Sequence, residues 1–336
     1  MRCFHLFHGR WTRLSVLSVA AGALATVASM AAPSYAAVVS FGTGTNTFTM
    51  DFVTIGNPGN AADTTGDPNP AGAVGYEYGI GKFEVSEDMI TKFNASQSLQ
   101  ITKDTRGTAK PATSVSWNEA ARFVNWLNTS TGGFAAYNFT TGGVNANIAL
   151  WTTSDTLDYD ASNPYRSKRA TYVLPSYNEW YKAAYYNPND STYYNFANGS
   201  DTAPMAVASG TTANTAVYNG QSGPADVDQA GGLSPYGVMG LGGNVWEFEE
   251  SSFDLANSSV SSSRAYRGGD WFGTGNGLSV LSRGYFNLPT FGGDSVGFRV
   301  ASLSSSAPPA VPEPSMMVIG TLFGLGGLMA KRRMKK

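Results

Sequence analysis

The chain has 336 residues, of which 42% are hydrophobic and only 14% are charged, and its formal net charge is −2. This length and apolar content suffice for a packed core, so an intrinsically disordered chain is excluded. The only cysteine and both histidines lie within the first eight residues. Any chemistry that needs a thiol or an imidazole therefore depends on that short segment.

The N-terminus has the pattern of a secretory signal over residues 1–37. Three arginines flank the start of a mainly apolar run, Leu14–Ala32, and small residues follow it. We expect this segment to be removed on export, together with Cys3, His5 and His8. The exported part then has no thiol nucleophile, no disulfide, no histidine-ligated metal and no Ser-His-Asp triad.

The charge of the exported part argues against nucleic-acid binding. Three basic residues lie in the predicted signal and five lie among the last six residues, so Ala37–Pro312 keeps 14 basic and 23 acidic residues. Its net charge of −9 is repelled by a phosphate backbone. No nucleic-acid partner is expected.

Alternating apolar and polar residues predict two strands early in the exported part. The stretches Thr47–Ile55 and Tyr76–Ile80 both alternate with a period of two. The alternation changes phase after Gly81, which predicts a β-bulge there. Ser86 then has the position of an N-cap and predicts a short helix.

Two capping boxes predict the starts of further helices. Ser116 and Ser176 are each followed three residues later by a glutamate, and apolar residues follow at helical spacing. Thr129–Ser167 is polar and rich in glycine and asparagine, which indicates loops. Together these features predict one α+β domain over residues 38–303.

The C-terminus shows three features in order. A spacer, residues 304–310, precedes the triplet Pro312, Glu313 and Pro314, and an apolar stretch and a basic end complete residues 311–336. As a helix the apolar stretch spans about 22 Å, less than the bilayer core of about 30 Å. This tail resembles the PEP-CTERM sorting signal of Gram-negative bacteria.

That resemblance implies an exosortase-type membrane protease as a processing partner. The basic end is expected to stay in the cytoplasm while the domain lies outside, so the membrane is contacted only through the tail before processing. We expect the processed domain in the cell envelope or outside the cell. An ordinary short tail anchor is the alternative.

Four separated motifs occur in a characteristic order along the domain. They are Pro111–Trp117 and Val173–Trp180 before the two capped helices, Gly243–Phe248, and Arg267–Trp271 followed by Gly-Phe-Arg at 297–299. The ordered set resembles the formylglycine-generating enzyme, or sulfatase-modifying factor, family. The resemblance implies a loop-rich, complex C-type-lectin-like α+β fold. It also implies formylglycine formation, iron-dependent sulfoxide synthesis or plain ligand display as functions.

The redox-metal ligands of that family are missing from this sequence. Copper-binding members have two cysteines after the Gly-Gly-x-Trp motif, at positions that correspond here to Gly273 and to residues 275–278. The iron-dependent branch needs histidines, which the exported part lacks. Copper and iron are therefore not expected, because the oxygen ligands that remain suit Ca²⁺ or Mg²⁺.

The resemblance also implies a structural calcium ion, and more of its ligands are present in this sequence than those of copper or iron. Its implied ligands are the main-chain oxygens of Gly243 and Val245 and the side chain of Glu247. The family's further Asp or Asn ligand falls at Gly240, so one ligand is missing here. An ion pair between Glu247 and an arginine is the alternative.

The remaining motif residues are expected to stabilise the fold. The tryptophans should pack in the core, and the arginines should neutralise buried carboxylates, with Asp270 and Glu247 as the obvious partners. These motif residues are Asn244, Trp246, Arg267, Asp270, Trp271, Arg283 and Arg299. Glu249 and Glu250 are expected to form either an acidic rim for a cation or part of a solvated loop.

Three functions follow as hypotheses. The first is an exported, non-catalytic binding or matrix module that binds peptide, protein or polysaccharide through its loops. Tyrosines between Tyr181 and Tyr194 would then stack on a ligand, or else form an aromatic surface belt. The alternatives are a formylglycine-generating-type oxidoreductase that acts on protein cysteine, and a structural surface component.

Overall fold

The computed structural model describes residues 37–139, 148–286 and 288–303, and all of them fall in one compact unit. Three α-helices, α1 to α3, span Glu87–Ser96, Trp117–Ser130 and Tyr177–Tyr185. The strands, β1 to β13 in chain order, span Ala37–Phe41, Phe48–Ile55, Tyr78–Gly81, Tyr172–Val173, Tyr186–Asn187, Thr192–Tyr193, Met205–Ala206, Thr215–Ala216, Trp246–Ser252, Arg264–Arg267, Gly284–Phe286, Val296–Gly297 and Ala301–Ser302. Short 3₁₀ turns occupy Gly44–Asn46 and Gly275–Leu278.

The larger sheet has the order β1-β2-β3-β13-β4 and is antiparallel throughout. The predicted alternation in β2 is confirmed, since Phe48, Met50 and Phe52 are buried and Thr49 is exposed. The predicted bulge after Gly81 is wrong. β3 ends at that residue and pairs with β2 without a register shift, so the phase change marks the end of the strand.

The three predicted helix starts are confirmed. The Ser86 hydroxyl accepts from the Met89 N–H at 3.4 Å and caps α1. Ser116 and Ser176 form complete capping boxes at the starts of α2 and α3, because each hydroxyl accepts from the glutamate N–H and each glutamate carboxylate accepts from the serine N–H. Local side-chain chemistry therefore fixes where each helix begins.

The smaller sheet has the order β11-β10-β9-β12, with β9 in its interior. β10 runs antiparallel to β9, with a register shift between Arg264 and Tyr266, and β12 runs parallel to β9. The third motif thus runs from the preceding loop into β9, the fourth begins at the end of β10, and the Gly-Phe-Arg motif begins at the end of β12. This sheet brings together the third motif, which ends at residue 248, and the Gly-Phe-Arg motif, which begins at residue 297.

The main apolar core lies between the larger sheet and α2. Phe123 of α2 stacks on Phe48 of β2 with ring centroids 6.1 Å apart, and Trp117 meets Tyr137 edge-on at 5.4 Å. Trp117 is fully buried, as predicted for the motif tryptophans. Packing against the sheet explains why α2 is buried over most of its length.

A second apolar cluster is built around α3, and it corrects the prediction for the tyrosines. Tyr181 and Tyr185 of α3 are buried in this cluster, and Tyr186, the first residue of β5, is buried next to the rings of Tyr193 and Tyr236. The hydroxyl of Tyr181 donates to Asp63 Oδ2 at 2.5 Å, and Tyr194 is only half-buried. Both predicted alternatives, stacking on a ligand and an aromatic surface belt, are therefore wrong for Tyr181, Tyr185 and Tyr186.

The long stretch between α2 and β4 has no helix or strand at its described positions, as predicted for loops. None of the helices in the described parts of the chain is long and apolar enough to span a bilayer. Residues 1–36 of the predicted signal, the spacer and the sorting triplet with its tail all lie outside the described residues.

Candidate functional site

Three carboxylates project from β9, and all three are fully buried. These are Glu247, Glu249 and Glu250. The acidic rim or solvated loop predicted for the last two is wrong, because β9 is an interior strand that is buried from its second residue to its last. A buried carboxylate requires a charged or hydrogen-bonding partner, and each of these three has an arginine.

Glu247 pairs with Arg299, as the ion-pair alternative predicted. Arg299 Nε donates to Glu247 Oε2 at 2.5 Å, and its Nη2 donates to Oε1. The Trp180 indole N–H also donates to Oε2, at 2.7 Å. Burial alone would lower the pKa of Arg299, but Glu247 outweighs it and raises that pKa. Both charges are therefore kept in the core.

Glu249 pairs with two arginines of the fourth motif and its continuation. Arg267 Nε donates to Glu249 Oε1, and Arg283 donates to Oε2 from Nε at 3.0 Å and from Nη2 at 2.7 Å. Side chains of all three residues are almost completely shielded from solvent. The predicted neutralising role of these arginines is thus confirmed, with Glu249 in place of Asp270 as partner.

Glu250 belongs to a second ion-pair group that the sequence did not reveal. Arg166 donates to Glu250 Oε1 at 2.8 Å and to both carboxylate oxygens of Glu179 at 2.9 Å. Burial would raise the pKa of Glu179, but Arg166 and its hydrogen bonds lower that pKa to about 2. Arg166 lies in the polar stretch after α2, where no local pattern distinguishes it.

Arg264 is a second buried arginine that the motifs did not identify. Its guanidinium lies between the rings of Trp117 and Tyr165, with Cζ 3.8 and 4.0 Å from their centroids. Its Nη1 donates to the Glu250 main-chain oxygen at 3.1 Å. The only sequence signal is its place three residues before the motif arginine of β10.

Asn244 connects three loops at the start of β9. Its Oδ1 accepts from Ala225 N–H at 2.8 Å, its Nδ2 donates to Glu84 Oε1 at 2.9 Å, and its main-chain oxygen accepts from Trp271 N–H at 3.0 Å. Gly243 beside it has a φ of +85°, and a Cβ there would overlap the Val217 carbonyl. The Gly-Asn pair therefore holds the loops in place.

Asp270 is not an arginine partner, which corrects the prediction. Gly268 and Gly269 both have positive φ and turn the chain, and Asp270 Oδ1 then accepts from the Gly273 N–H at 2.6 Å. Next to it, Trp271 is buried as predicted. Asp270 therefore closes a tight turn of the loop that follows β10.

The positions of the family's copper cysteines lie in this same loop. Gly273 ends the tight turn, and Gly275–Leu278 form a 3₁₀ turn whose last residue is buried. Trp246 is half-buried and its ring packs against Gly277. A Cβ added to Gly277 would lie 3.4 Å from that ring. A cavity of about 20 Å³ adjoins Leu278, which is room for one water-sized molecule.

The residues around Glu247 do not fit the implied calcium ion. Both carboxylate oxygens already accept from Arg299, and one also accepts from Trp180. A divalent cation bound to Glu247 would lie beside a buried guanidinium and would have to displace these donors. Calcium at Gly243, Val245 and Glu247 therefore stays a prediction that this donor set disfavours.

A further buried carboxylate, Glu84, lies between β3 and α1, and the sequence analysis did not single it out. Its carboxylate occupies the space that a side chain at Gly240 would need. Burial, with a smaller contribution from Glu247, raises the pKa of Glu84 to about 7 despite the opposing effect of Arg299. In the sequence, Glu84 is distinguished only by its position as a single charged residue between Phe83 and Val85, just before the Ser86 cap.

Comparisons with known proteins agree with this architecture. Treponema denticola variable protein 1 is similar in structure, with a TM-score of 0.53 and 19% identity over 79% of this chain and 98% of that one. The crystal structure of CarF has a TM-score of 0.54 and 19% identity over 75% of this chain and 98% of that one. At this identity they support the fold alone. A comparison with curated proteins found no similar sequence.

The loop-rich α+β fold predicted from the motifs is confirmed by these structures together with the three helices and short strands described above. A family model, the sulfatase-modifying factor enzyme 1-like domain, matches residues 33–303 and so covers all four motifs. The chain therefore belongs to the family of the sulfatase-modifying factor enzyme 1-like domain.

Proposed function

We propose that this chain is an exported, non-catalytic binding module of its family, with a peptide, a protein or a polysaccharide as its ligand. The observation that carries the proposal is the exposure of Phe272, which is 73% accessible to solvent. It lies on the loop after β10, directly before Gly273, the position that corresponds to the first copper-binding cysteine. An exposed aromatic ring on a fixed loop is a common anchor for ligands.

Hydrogen bonds to a neighbouring loop hold Phe272 in place. The N–H groups of Asn219, Gly220 and Gln221 donate to the main-chain oxygens of residues 273, 272 and 271 at 2.7, 3.0 and 2.9 Å. Arg106 lies with Cζ 5.0 Å from the Trp271 ring centroid. We call residues 219–221, 271–273 and Arg106 the Phe272 surface. It combines an exposed aromatic ring, a loop held by three main-chain hydrogen bonds and the Arg106 guanidinium, which is ion-paired with Asp104.

The composition supports a non-catalytic role. Residues 9–336 contain no cysteine and no histidine, so the loop after β10 has neither a thiolate nor an imidazole to hold copper or iron. The four carboxylates near β9 are buried, and three of them are neutralised by arginines. Export is part of the proposal and is supported by the N-terminal pattern and by the PEP-CTERM-like tail.

The binding proposal is tested with the full chain on arrays of defined glycans and peptides. We expect at least one ligand class to bind, and Phe272→Ala to weaken that binding about tenfold, as for an interface anchor. Leu157→Ala is the matched control, because Leu157 is also exposed but lies in a different loop. Absence of any ligand, or equal loss in both variants, would contradict the proposal.

The absence of catalysis is tested separately. The full chain is incubated with Cu(I) or Fe(II), oxygen and a cysteine-containing sulfatase peptide, and the peptide is followed by mass spectrometry. We expect no conversion of cysteine to formylglycine above the metal-only background. Turnover by the protein would overturn this part of the proposal, whether the metal is held by oxygen ligands or by Cys3, His5 and His8, which the full chain still carries.

A further inference from the structure

The surroundings of Phe272 indicate which class of ligand its surface takes, an inference that rests on the binding function proposed above. Phe272 is the most exposed large apolar side chain among the described residues. Other exposed rings have neighbours, since Tyr285 packs on Phe253 with centroids 4.3 Å apart. Phe134 likewise has the Arg169 guanidinium 3.9 Å from its centroid. Within the described parts of the chain the Phe272 ring has no such partner, so its face is open to a ligand.

The main chain beside this ring is already hydrogen-bonded within the protein. The Phe272 carbonyl oxygen accepts from the Gly220 N–H at 3.0 Å, and the Gly273 carbonyl oxygen accepts from the Asn219 N–H at 2.7 Å. The Gly273 N–H donates to the Asp270 carboxylate at 2.6 Å. A peptide that binds by strand addition needs free main-chain donors and acceptors, and this loop offers few of them. A ligand is therefore recognised here by side chains.

The exposed polar side chains that flank Phe272 are an amide and a hydroxyl. Asn219 is hydrogen-bonded through its main chain to the residue after Phe272, and Thr274 follows Phe272 by two positions. Both are exposed, and neither side chain has a hydrogen-bond partner among the described residues. Amides and hydroxyls both donate and accept, whereas a carboxylate only accepts and an ammonium only donates. Sugar hydroxyls also donate and accept, so they match these two side chains.

The charges next to the Phe272 surface are already paired. Arg106 lies 2.5 Å from an oxygen of Asp104, and Lys110 lies 3.0 Å from an oxygen of Asp226. Ala37–Pro312 carries a net charge of −9, so an acidic polysaccharide is repelled by the molecule as a whole. These charges favour a neutral ligand.

We infer that the Phe272 surface binds a neutral polysaccharide of β-linked glucopyranose units, with one sugar stacked on Phe272 and hydrogen-bonded to Asn219 and Thr274. The ring substituents of such a sugar are equatorial, so its axial C–H groups form two apolar faces. An aromatic ring covers one of these faces and removes apolar surface from water without burying a hydroxyl. The hydroxyls at the edge of the sugar stay free for the amide and the threonine.

The test uses isothermal titration calorimetry and saturation-transfer-difference NMR on the full chain. The neutral probes are cellohexaose and laminarihexaose, and the charged counterpart is hexagalacturonic acid. We expect saturable binding of at least one neutral probe and none of the charged one. In the NMR experiment the axial protons of one sugar face, either H1, H3 and H5 or H2 and H4, should receive more saturation than those of the other face.

Three substitutions of Phe272 separate stacking from other apolar contacts. Phe272→Ala and Phe272→Leu should each weaken binding about tenfold, because neither side chain offers a flat face. Phe272→Trp should retain the affinity of the wild type or increase it. Loss in Phe272→Ala with full affinity in Phe272→Leu would indicate an apolar contact without stacking and would overturn the inference.

The amide is tested by Asn219→Asp, which keeps the size of the side chain and suits its positive φ of 70°. We expect about two- to fivefold weaker binding, because the amide donor is lost. Asn189→Asp is the matched control, since Asn189 is an exposed asparagine in the loop between β5 and β6. Equal effects of the two substitutions would contradict the assigned hydrogen bond.

The outcomes also separate this inference from the proposed function. If neither neutral probe binds but a peptide on the array binds and is lost in Phe272→Ala, the polysaccharide is wrong and the binding module stands. If no glycan and no peptide binds, both are wrong. Binding of hexagalacturonic acid as tight as that of the neutral probes, or unchanged affinity in Phe272→Ala, would overturn the inference alone.

Discussion

Arg299 shows how one side chain joins distant parts of the chain. It donates to Glu247 on β9, to the end of β3 at Gly81 and to the loop at Met239. Two charges removed from water stabilise the fold only when their hydrogen bonds are complete, as they are here. The Gly-Phe-Arg motif therefore has a structural role that needs no ligand.

Removing one partner of this pair should be strongly destabilising. We expect Arg299→Met to lower the free energy of unfolding by about 3–5 kcal/mol, because Glu247 is left buried without its cation. Urea denaturation of the full chain measures the change. Glu247→Gln combined with Arg299→Met should recover part of the loss, since no uncompensated charge remains. A single variant as stable as the wild type would contradict the assigned ion pair.

The ion pair between Glu247 and Arg299 also leads to a prediction about calcium binding. Because Arg299 and Trp180 already satisfy the Glu247 carboxylate, we expect neither EDTA nor millimolar Ca²⁺ to shift the Tm of the full chain. Differential scanning calorimetry, with metal analysis of the same sample, checks this. A Tm that rises with Ca²⁺ concentration would show binding to the folded state and would contradict this expectation.

Glu84 should make stability depend on pH. Burial raises its pKa from 4.5 to about 7, so between these values the folded state binds more protons than the unfolded state does. Its contribution to stability is therefore present below about pH 4.5 and is lost as pH rises through about 7. We expect the Tm of Glu84→Gln to exceed that of the wild type at about pH 8, with a smaller difference near pH 5. An equal difference at both would contradict the shift.

At the scale of elements, the helices are fixed by their first turns. In α3 the Ser176 hydroxyl accepts from the Glu179 N–H at 3.3 Å, and Glu179 Oε2 accepts from the Ser176 N–H at 2.6 Å. The same carboxylate binds Arg166. One capping box thus supports both the start of a helix and a buried ion pair.

The capping hydroxyl of Ser176 should make a measurable contribution to the stability of the fold. We expect Ser176→Ala to lower the free energy of unfolding by about 1 kcal/mol, because one N–H of the first turn loses its acceptor. Ser222→Ala is the control at an exposed loop position, with an expected change within about 0.5 kcal/mol. Both are measured by urea denaturation. Equal effects in the two variants would argue against a capping contribution.

Elements defined by neighbouring residues were predictable from the sequence, and pairings between distant residues were not. The β2 alternation and the three N-caps need information from fewer than ten residues. The Arg166–Glu250 pair spans 84 residues and has no local pattern. Glu249 and Glu250 were misplaced for the same reason, because only the position of β9 inside its sheet shows that they are buried.

At the scale of the whole molecule, buried charge pairs connect segments that are far apart in sequence. Arg166 binds carboxylates of α3 and β9, and Arg267 and Arg283 both bind Glu249. Because short strands and long loops contribute few regular contacts, these pairs are among the main links between segments. The family resemblance predicted this fold well, although the partners in each pair appeared only in three dimensions.

Such links predict cooperative unfolding. Trp117 and Trp180 lie in two apolar clusters, and Arg166 links α3 to β9 through buried ion pairs. We therefore expect intrinsic tryptophan fluorescence and far-ultraviolet circular dichroism to give the same urea midpoint. Two separate midpoints would show that the segments joined by Arg166 and Arg299 unfold independently, and would contradict this expectation.

The contact between Gly240 and Glu84 imposes an order on the substitutions that the protein can accept. Gly240 has a φ of +75°, and any side chain there would meet the Glu84 carboxylate that Asn244 holds. An asparagine introduced at 240 therefore displaces the Glu84 carboxylate, whereas the same change after Glu84→Ala meets only the cost of the positive φ. The two positions are therefore epistatic, because the order in which they are substituted decides how much stability is lost at the first step.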